Sequence, residues 1–138
     1  MSVGILLITH RQIGQAIYDT VVTMMGCAPL NTRILEIGTD SDPDKQKIQA
    51  QKYINELEQG DGVLILTDLF GSTPSNISCA LRSAQVTVVS GLNLPMLVRV
   101  MNYPTLDLGQ LQLKAVSGGK EGVFTCQPEE PVRAATKH

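Results

Sequence analysis

Short runs of apolar and β-branched residues recur along the chain, and each of them predicts a β-strand. Residues 3–8 and 63–66 contain no polar side chain, which is typical of strands buried on both faces of a parallel sheet. Residues 32–37 are β-branched and alternate between polar and apolar positions, and residues 86–89 form a fourth run. A weaker fifth strand is expected at residues 122–125.

Between these runs, apolar residues recur at helical spacing and predict amphipathic helices. Their apolar faces comprise Ile13, Ala16, Ile17, Val21 and Met24 in the first, Ala50, Ile54 and Leu57 in the second, and Ile77, Ala80 and Leu81 in the third. Gly26 suits the end of the first helix, and Asp42-Pro43 suits the start of the second. Further helices are expected at residues 93–101 and 106–116, the last of them ended by Gly118-Gly119.

The alternation of strands and helices predicts an α/β fold. We expect an open, doubly wound, mainly parallel sheet with helices on both faces, made of about four parallel strands plus a C-terminal edge strand. The first and third strands should be neighbours, ~4.8 Å apart. Sheets of this kind bind ligands outside the carboxyl ends of their strands, where the strand order reverses. Residues 1–126 should form one domain, followed by a polar flexible tail at 127–138.

Composition excludes several classes of protein. The chain has 138 residues, of which 43% are hydrophobic and 17% charged, as in a folded single domain rather than a disordered chain. Its formal net charge is −2 and only 4% of its residues are aromatic, so nucleic acid is not an expected ligand. No stretch approaches the ~20 apolar residues of a membrane span, and the apolar start is too short for a signal peptide.

The cysteines favour a reducing compartment. Cys27, Cys79 and Cys126 are odd in number, widely spaced and form no CxxC pair. We therefore expect reduced thiols and a cytoplasmic location.

Two predicted strand ends carry candidate chemistry. Thr9-His10-Arg11 follows the first strand, and Asp68 follows the third. The only other histidine is the terminal His138. A carboxylate bonded to one imidazole nitrogen orients the ring and leaves the other nitrogen free to act as a nucleophile or base. Taken singly, His10 and Asp68 each have an ordinary structural interpretation, so it is their expected convergence that favours a site.

The loop after Asp68 is suited to a phosphoryl group. Thr73 should N-cap a helix whose first residue is Pro74, and the amides after Gly71 would then point out of a helix N-terminus, where anions bind. Hydroxyl groups that could add donors belong to Thr9, Ser72 and Thr73, and Arg11 could add a charge-assisted contact.

Three motifs in this order resemble enzyme IIA of the mannose family of the bacterial phosphoenolpyruvate-dependent sugar phosphotransferase system, or PTS. They are Thr9-His10, Asp68-Leu-Phe-Gly-Ser-Thr-Pro-Ser-Asn76 and Ser90-Gly-Leu-Asn-Leu-Pro-Met-Leu97, and the resemblance extends to about residue 125. It implies that His10 is phosphorylated on Nε2 by the phosphocarrier HPr and passes the group to a histidine of a IIB component. It also implies that Asp68 bonds the other ring nitrogen and that Thr73 contacts the phosphoryl group.

The same resemblance bears on assembly and cofactors. Members of the family form homodimers, typically by exchanging the C-terminal strand, which here would be residues 122–125. The chemistry requires neither a metal nor an organic cofactor, and the membrane would be reached only indirectly, through a permease complex. The chain stops shortly after the IIA unit with no fused IIB domain, so sugar uptake and a regulatory role both remain open.

The chain departs from the family pattern at three positions. Ser72 replaces a small residue that is commonly glycine, Ser75 stands where an aromatic residue is frequent, and Phe70 stands where tryptophan or another large apolar residue is found. None of these departures removes an essential group.

Three other functions compete with this one. A non-enzymatic receiver-like signalling domain needs an acidic pair after the first strand, where this chain has Thr9-His10-Arg11. A flavodoxin-like binding module needs a phosphate-binding loop there that the chain lacks. The phosphocarrier subunit of a dihydroxyacetone kinase shares the architecture and the histidine, but its third-strand loop lacks the Gly-x-Thr-Pro-x-Asn pattern.

Overall fold

A computed structural model describes residues 2–128 as four strands and five helices. The strands are β1 (Gly4–His10), β2 (Thr32–Ile37), β3 (Val63–Thr67) and β4 (Val86–Ser90). The helices are α1 (Ile13–Met25), α2 (Pro43–Leu57), α3 (Thr73–Ala80), α4 (Leu94–Met101) and α5 (Leu108–Glu121). Over the described range, none of these helices has the length and apolar character needed to cross a membrane.

The four strands form one parallel sheet in the order β2-β1-β3-β4. This order confirms that the first and third strands are neighbours. His10 is in register with Ile37 of β2, and Ile8 is in register with Thr67 of β3. The carboxyl ends of the three strands therefore lie at the same edge of the sheet, where the strand order reverses.

Helices cover both faces of the sheet, as expected for a doubly wound fold. Alternate residues of β1 point to opposite sides, so Leu7 joins a core that includes residues of α1, α4 and α5. Leu6 and Ile8 join a second core, which includes residues of α2. Both faces of β1 are fully buried, which accounts for its unbroken apolar sequence.

The face that α1 buries is rotated from the predicted stripe. Gly14 and Val21 are buried, whereas Ile13, Ala16 and Met24 of the stripe are exposed. The cause is a close approach to β1, because a Cβ built on Gly14 would lie 3.0 Å from Thr9 Oγ1 and 3.4 Å from Leu7 Cβ. Gly14 has no side chain to hold the helix away from β1, so the buried face includes this glycine.

The prediction that Gly118-Gly119 ends the last helix was wrong. Helix α5 continues through both glycines to Glu121. A Cβ on Gly118 would lie 2.5 Å from Arg99 Cβ, and one on Gly119 would lie 2.9 Å from Met96 Cε. These glycines allow α5 to pack closely against α4, which explains their presence inside a helix.

The expected C-terminal strand at residues 122–125 is absent. Gly122 is the C-cap of α5, and Val123 and Phe124 after it are each 75% exposed. Among the described strands, β4 pairs only with β3 and has one open edge. Residues 122–125 form no backbone ladder with this edge, so the single chain has no fifth strand there. Of the tail predicted at 127–138, residues 129–138, including His138, fall outside the described range.

Candidate active site

His10 and Asp68 meet at the edge where β1 and β3 end. His10 is the last residue of β1, and Asp68 directly follows β3. His10 Nδ1 lies 2.9 Å from Asp68 Oδ2, and the backbone N–H of His10 donates to the same oxygen at 3.1 Å. The carboxylate thus holds both the ring and the backbone of the same histidine.

This contact determines which ring nitrogen is free. A carboxylate can only accept a hydrogen bond, so Nδ1 carries the proton and Nε2 carries the lone pair. The His10 side chain is 42% exposed, while that of Asp68 is 9% exposed. Nε2 makes no hydrogen bond to any described residue. The pair therefore presents a fixed, accessible nitrogen nucleophile.

The second oxygen of Asp68 is buried without a partner among the described residues. An unpartnered buried carboxylate oxygen leaves negative charge that nearby groups do not neutralise. The ring that this carboxylate contacts is that of His10. The arrangement consequently stabilises positive charge whenever it develops on the imidazole.

Thr9 lies beneath the site rather than in it. The whole residue is buried. Its hydroxyl accepts a hydrogen bond from the Gly14 N–H at 2.8 Å and donates one to the His10 carbonyl at 3.2 Å. Both contacts are internal to the protein. Thr9 therefore does not reach the exposed side of His10, contrary to the expectation that its hydroxyl would be available to a bound group.

Arg11 turns the chain out of β1 with φ of 38°, in the left-handed region. Its N–H donates to the Ile37 carbonyl at 3.0 Å, and its guanidinium bonds the exposed Thr39 hydroxyl at 3.3 Å. The side chain thus contacts the loop after β2.

A tight turn follows Asp68. Both the N–H and the hydroxyl of Ser72 donate to the Leu69 carbonyl, and Gly71 between them has φ of 83°. A positive φ at the third position of such a turn favours glycine. Leu69 and Phe70 stand out from the turn, 61% and 78% exposed. The Ser72 hydroxyl is thus engaged in closing the turn.

Helix α3 begins one residue earlier than predicted. Ser72 is its N-cap and Thr73 its first residue, since the first helical bond runs from the Asn76 N–H to the Ser72 carbonyl at 2.8 Å. Within residues 2–128 the exposed Thr73 hydroxyl has no hydrogen-bond partner, and the amides of Thr73 and Ser75 have no acceptor. A helix N-terminus with free donors of this kind can bind an anion.

The motif that starts at Ser90 bonds to Thr67, the residue that directly precedes Asp68. Thr67 Oγ1 donates to Ser90 Oγ at 3.0 Å, and the Thr67 carbonyl accepts the N–H groups of Gly91 and Leu92, both at 2.9 Å. Asn93 caps α4 by accepting the Met96 N–H at 2.8 Å. The contact between Thr67 and the Ser90 motif was not predicted from the sequence, although both strands visibly end in a hydroxyl residue.

Comparison with known proteins gives a match to the family EIIA-man, described as "PTS system fructose IIA component", over residues 4–111. This range begins at β1 and ends within α5, so it includes the whole site.

Several solved structures share the fold. A mannose/sorbose-specific IIA subunit of the phosphotransferase system from Enterococcus faecalis superimposes with a TM-score of 0.84 at 21% identity, covering 96% of this chain and 100% of that one. The component EIIA from Streptococcus agalactiae gives 0.77 at 22% identity, covering 89% and 96%. A PTS IIA protein associated with the fucose utilization operon of Streptococcus pneumoniae gives 0.75 at 22% identity, covering 91% and 96%.

Proposed function

The chain belongs to the EIIA-man family of sugar phosphotransferase-system components, and we propose that it accepts a phosphoryl group from phospho-HPr on His10 and passes it to a IIB partner. The observation that supports this proposal best is the 2.9 Å contact of His10 Nδ1 with the buried Asp68, which leaves Nε2 free and exposed. No other described residue of the site combines a free nucleophilic atom with this degree of orientation.

The transfer step follows from that geometry. The Nε2 lone pair attacks phosphorus in line with the donor's N–P bond, which breaks and returns its electron pair to the donor nitrogen. The His10 ring gains positive charge as the new bond forms, and the Asp68 carboxylate stabilises it through the Nδ1 proton. Transfer to IIB reverses these roles. Because such transfer has a loose transition state, the protein needs mainly to position the groups and to stabilise charge.

Thr73 and the start of α3 bind the phosphoryl oxygens in this proposal. The free Thr73 hydroxyl and the free amides of Thr73 and Ser75 supply donors, reinforced by the partial positive charge of the helix N-terminus. Gly71 and Ser72 contribute through the turn that directs these donors. The guanidinium of Arg11 bonds Thr39 instead, so it is not needed in this role.

Exposed apolar side chains beside His10 suit transient protein partners. Leu69 and Phe70 project from the turn next to Asp68, where a docked partner would cover them. HPr and IIB must use the same Nε2 in turn, so each docks over this face and leaves again. The protein would act in the cytoplasm and reach the membrane only through a permease complex, either in sugar uptake or through its phosphorylation state as a regulator.

The open edge of β4 suits a homodimer. It borders a groove of about 500 Å³ that is lined in part by Val89, Val116 and Val123. An unpaired strand edge readily accepts a strand from another chain. The exposed segment at residues 122–125 of a second copy is the proposed occupant, which would account for the absence of a fifth strand in the single chain.

Phosphoryl labelling tests the function. The protein is incubated with enzyme I, HPr and ³²P-labelled phosphoenolpyruvate, and the His10→Ala variant is expected to take up no label. The matched control is His138→Ala, which removes the other histidine of the sequence and should label normally. Full labelling of His10→Ala would refute the proposal.

Two further measurements distinguish the alternative functions. They are the stability of the label in acid and base, and the protein that removes it. A phosphohistidine is acid-labile and base-stable, whereas an acid-stable, base-labile label would indicate phosphorylation of Asp68, as in a receiver domain. Purified IIB should discharge the labelled protein. Discharge by a dihydroxyacetone kinase instead of by IIB would contradict the proposed acceptor.

A further inference from the structure

We infer that Thr9 is a positioning residue for phosphoryl transfer, holding the backbone around His10 without touching the phosphoryl group. The inference rests on the proposed function of His10. It goes beyond that proposal by giving a buried hydroxyl a measurable part in the reaction.

The Thr9 hydroxyl is engaged entirely inside the protein. The residue has no exposed surface, and its oxygen makes two hydrogen bonds, accepting from the Gly14 N–H at 2.8 Å and donating to the His10 carbonyl at 3.2 Å. The two contacts join the end of β1 to the first turn of α1. Because the hydroxyl is both buried and engaged, it is not available to a ligand.

Helix α1 has no side-chain cap at its own N-cap position. Its N-cap residue, Gln12, makes no capping hydrogen bond, and no acidic residue lies in the first turn. The Gly14 amide, which belongs to that turn and is buried, therefore depends on Thr9 for its acceptor. Thr9 acts as a cap supplied from the preceding strand rather than from the usual N-cap position.

Hydrogen bonds hold the backbone on both sides of His10. Asp68 Oδ2 holds its N–H and Thr9 holds its carbonyl, while the next amide, that of Arg11, donates to the Ile37 carbonyl. Arg11 also has a left-handed φ of 38°, a conformation that persists only where the surroundings enforce it. Without the Thr9 hydroxyl, the peptide after His10 keeps only the bond from the Arg11 N–H to the Ile37 carbonyl, and it is held less firmly.

A shift of this peptide would move the reacting atom. Nε2 lies at the far end of the imidazole, so a small change in the His10 backbone displaces it relative to a phosphorus atom held by the partner protein. A displacement of about 1 Å can cost on the order of 100-fold in rate. Thr9 should therefore affect the maximal transfer rate and not the binding of the donor, which never contacts it.

The test compares Thr9→Val, which is isosteric but lacks the hydroxyl, with Thr9→Ser, which keeps it. Rates of transfer from phospho-HPr are measured by rapid quench across donor concentrations. We expect Thr9→Val to lower kcat at least tenfold with KM unchanged within about twofold, and Thr9→Ser to stay within about threefold of the wild type. Equal kcat values for Thr9→Val and the wild type would overturn the inference.

A second variant keeps the test decisive if Thr9→Val does not fold. Gly14→Ala retains the hydroxyl but places a Cβ 3.0 Å from Thr9 Oγ1 and 3.2 Å from Thr9 Cγ2, displacing the side chain. It should also lower kcat without raising KM. A folded Gly14→Ala protein with wild-type kcat would count against the inference.

Amide hydrogen exchange separates this inference from the proposed function, because it needs no phosphoryl donor. Exchange of the Gly14 amide should be faster in Thr9→Val than in Thr9→Ser, and equal rates in the two variants would overturn the contact on which the inference depends. If the wild type takes up no label on His10, the proposed function itself is wrong, whatever the exchange rates.

Discussion

At the scale of single residues, Asp68 makes two contacts with His10. One of its oxygens accepts hydrogen bonds from both the ring and the backbone of His10, and the other is buried without a partner among the described residues. The residue therefore combines orientation of the imidazole with stabilisation of charge on it.

Asp68→Asn should separate these two effects. The amide oxygen can still accept the His10 N–H, so the fold should persist, but the negative charge facing the ring is lost. We expect transfer from phospho-HPr to slow by about 100-fold, as for other losses of a charge-stabilising group. Asp40→Asn, at an exposed residue after β2, should transfer at the wild-type rate. A wild-type rate for Asp68→Asn would remove the charge-stabilising role.

Arg11 offers a test of backbone strain. Its φ of 38° lies in a region that costs a residue with a Cβ roughly 1–2 kcal/mol. Arg11→Ala keeps that strain and Arg11→Gly relieves it, while both lose the contact with Thr39. We expect the glycine variant to be more stable than the alanine variant by about 1 kcal/mol, measured by urea unfolding. If alanine proves the more stable, the left-handed conformation is not maintained in solution.

At the scale of elements, the packing of α5 against α4 depends on glycine. A Cβ on Gly118 would lie 2.5 Å from Arg99 Cβ and 2.8 Å from Arg99 Cγ, which no side-chain rotation of the arginine can fully relieve. We expect Gly118→Ala to reduce the free energy of unfolding by about 1–3 kcal/mol.

The matched control lies on the same helix. Gly109 meets nothing closer than Asp107 Oδ1 at 3.7 Å, so Gly109→Ala adds a methyl group without a clash. Alanine favours the helix over glycine by up to about 1 kcal/mol, and this variant should be at least as stable as the wild type. Equal destabilisation by both substitutions would contradict the assigned role of contact with α4, because helix propensity favours alanine at both positions.

Hydrophobic periodicity and capping residues in the sequence predicted most of the helices and strands correctly. Asp42 caps α2 with proline as its first residue, and Gly26 ends α1 in a left-handed conformation, both as expected. The pattern predicted the wrong helix end at Gly118 and the wrong buried face around Gly14. At both positions the glycine allows two elements to come into close contact. A glycine that ends a helix and one that allows two elements to touch look the same in a sequence, because only the neighbouring element distinguishes them.

At the scale of the whole molecule, the open edge of β4 gives rise to the last prediction. The single chain leaves Val123 and Phe124 exposed beside that edge, and dimer formation through this segment would bury them. We expect Val123→Asp combined with Phe124→Asp to shift the protein toward monomer in analytical ultracentrifugation, because two charges would be buried without partners. Ile48→Asp, at an exposed residue of α2 on the other face of the sheet, is the control and should leave association unchanged. A dimer that survives the double substitution would exclude this segment from the interface.

The sequence by itself determined the order of the first four strands and the five helices, the adjacency of β1 and β3, and the meeting of His10 with Asp68. The elements follow from local periodicity, and the strand order follows from the few ways in which a parallel sheet can be connected. A side chain at the end of a central strand then lies where the strand order reverses.

Only the tertiary structure decided how Thr9 uses its hydroxyl, which face α1 buries, and where α3 begins. Each of these depends on which atoms long-range packing brings within about 3 Å of a donor or acceptor. A hydroxyl in a sequence is equally able to bind a ligand or to satisfy a buried amide. At Thr9 the buried amide of Gly14 is the partner, because α1 packs onto β1 through a residue without a side chain.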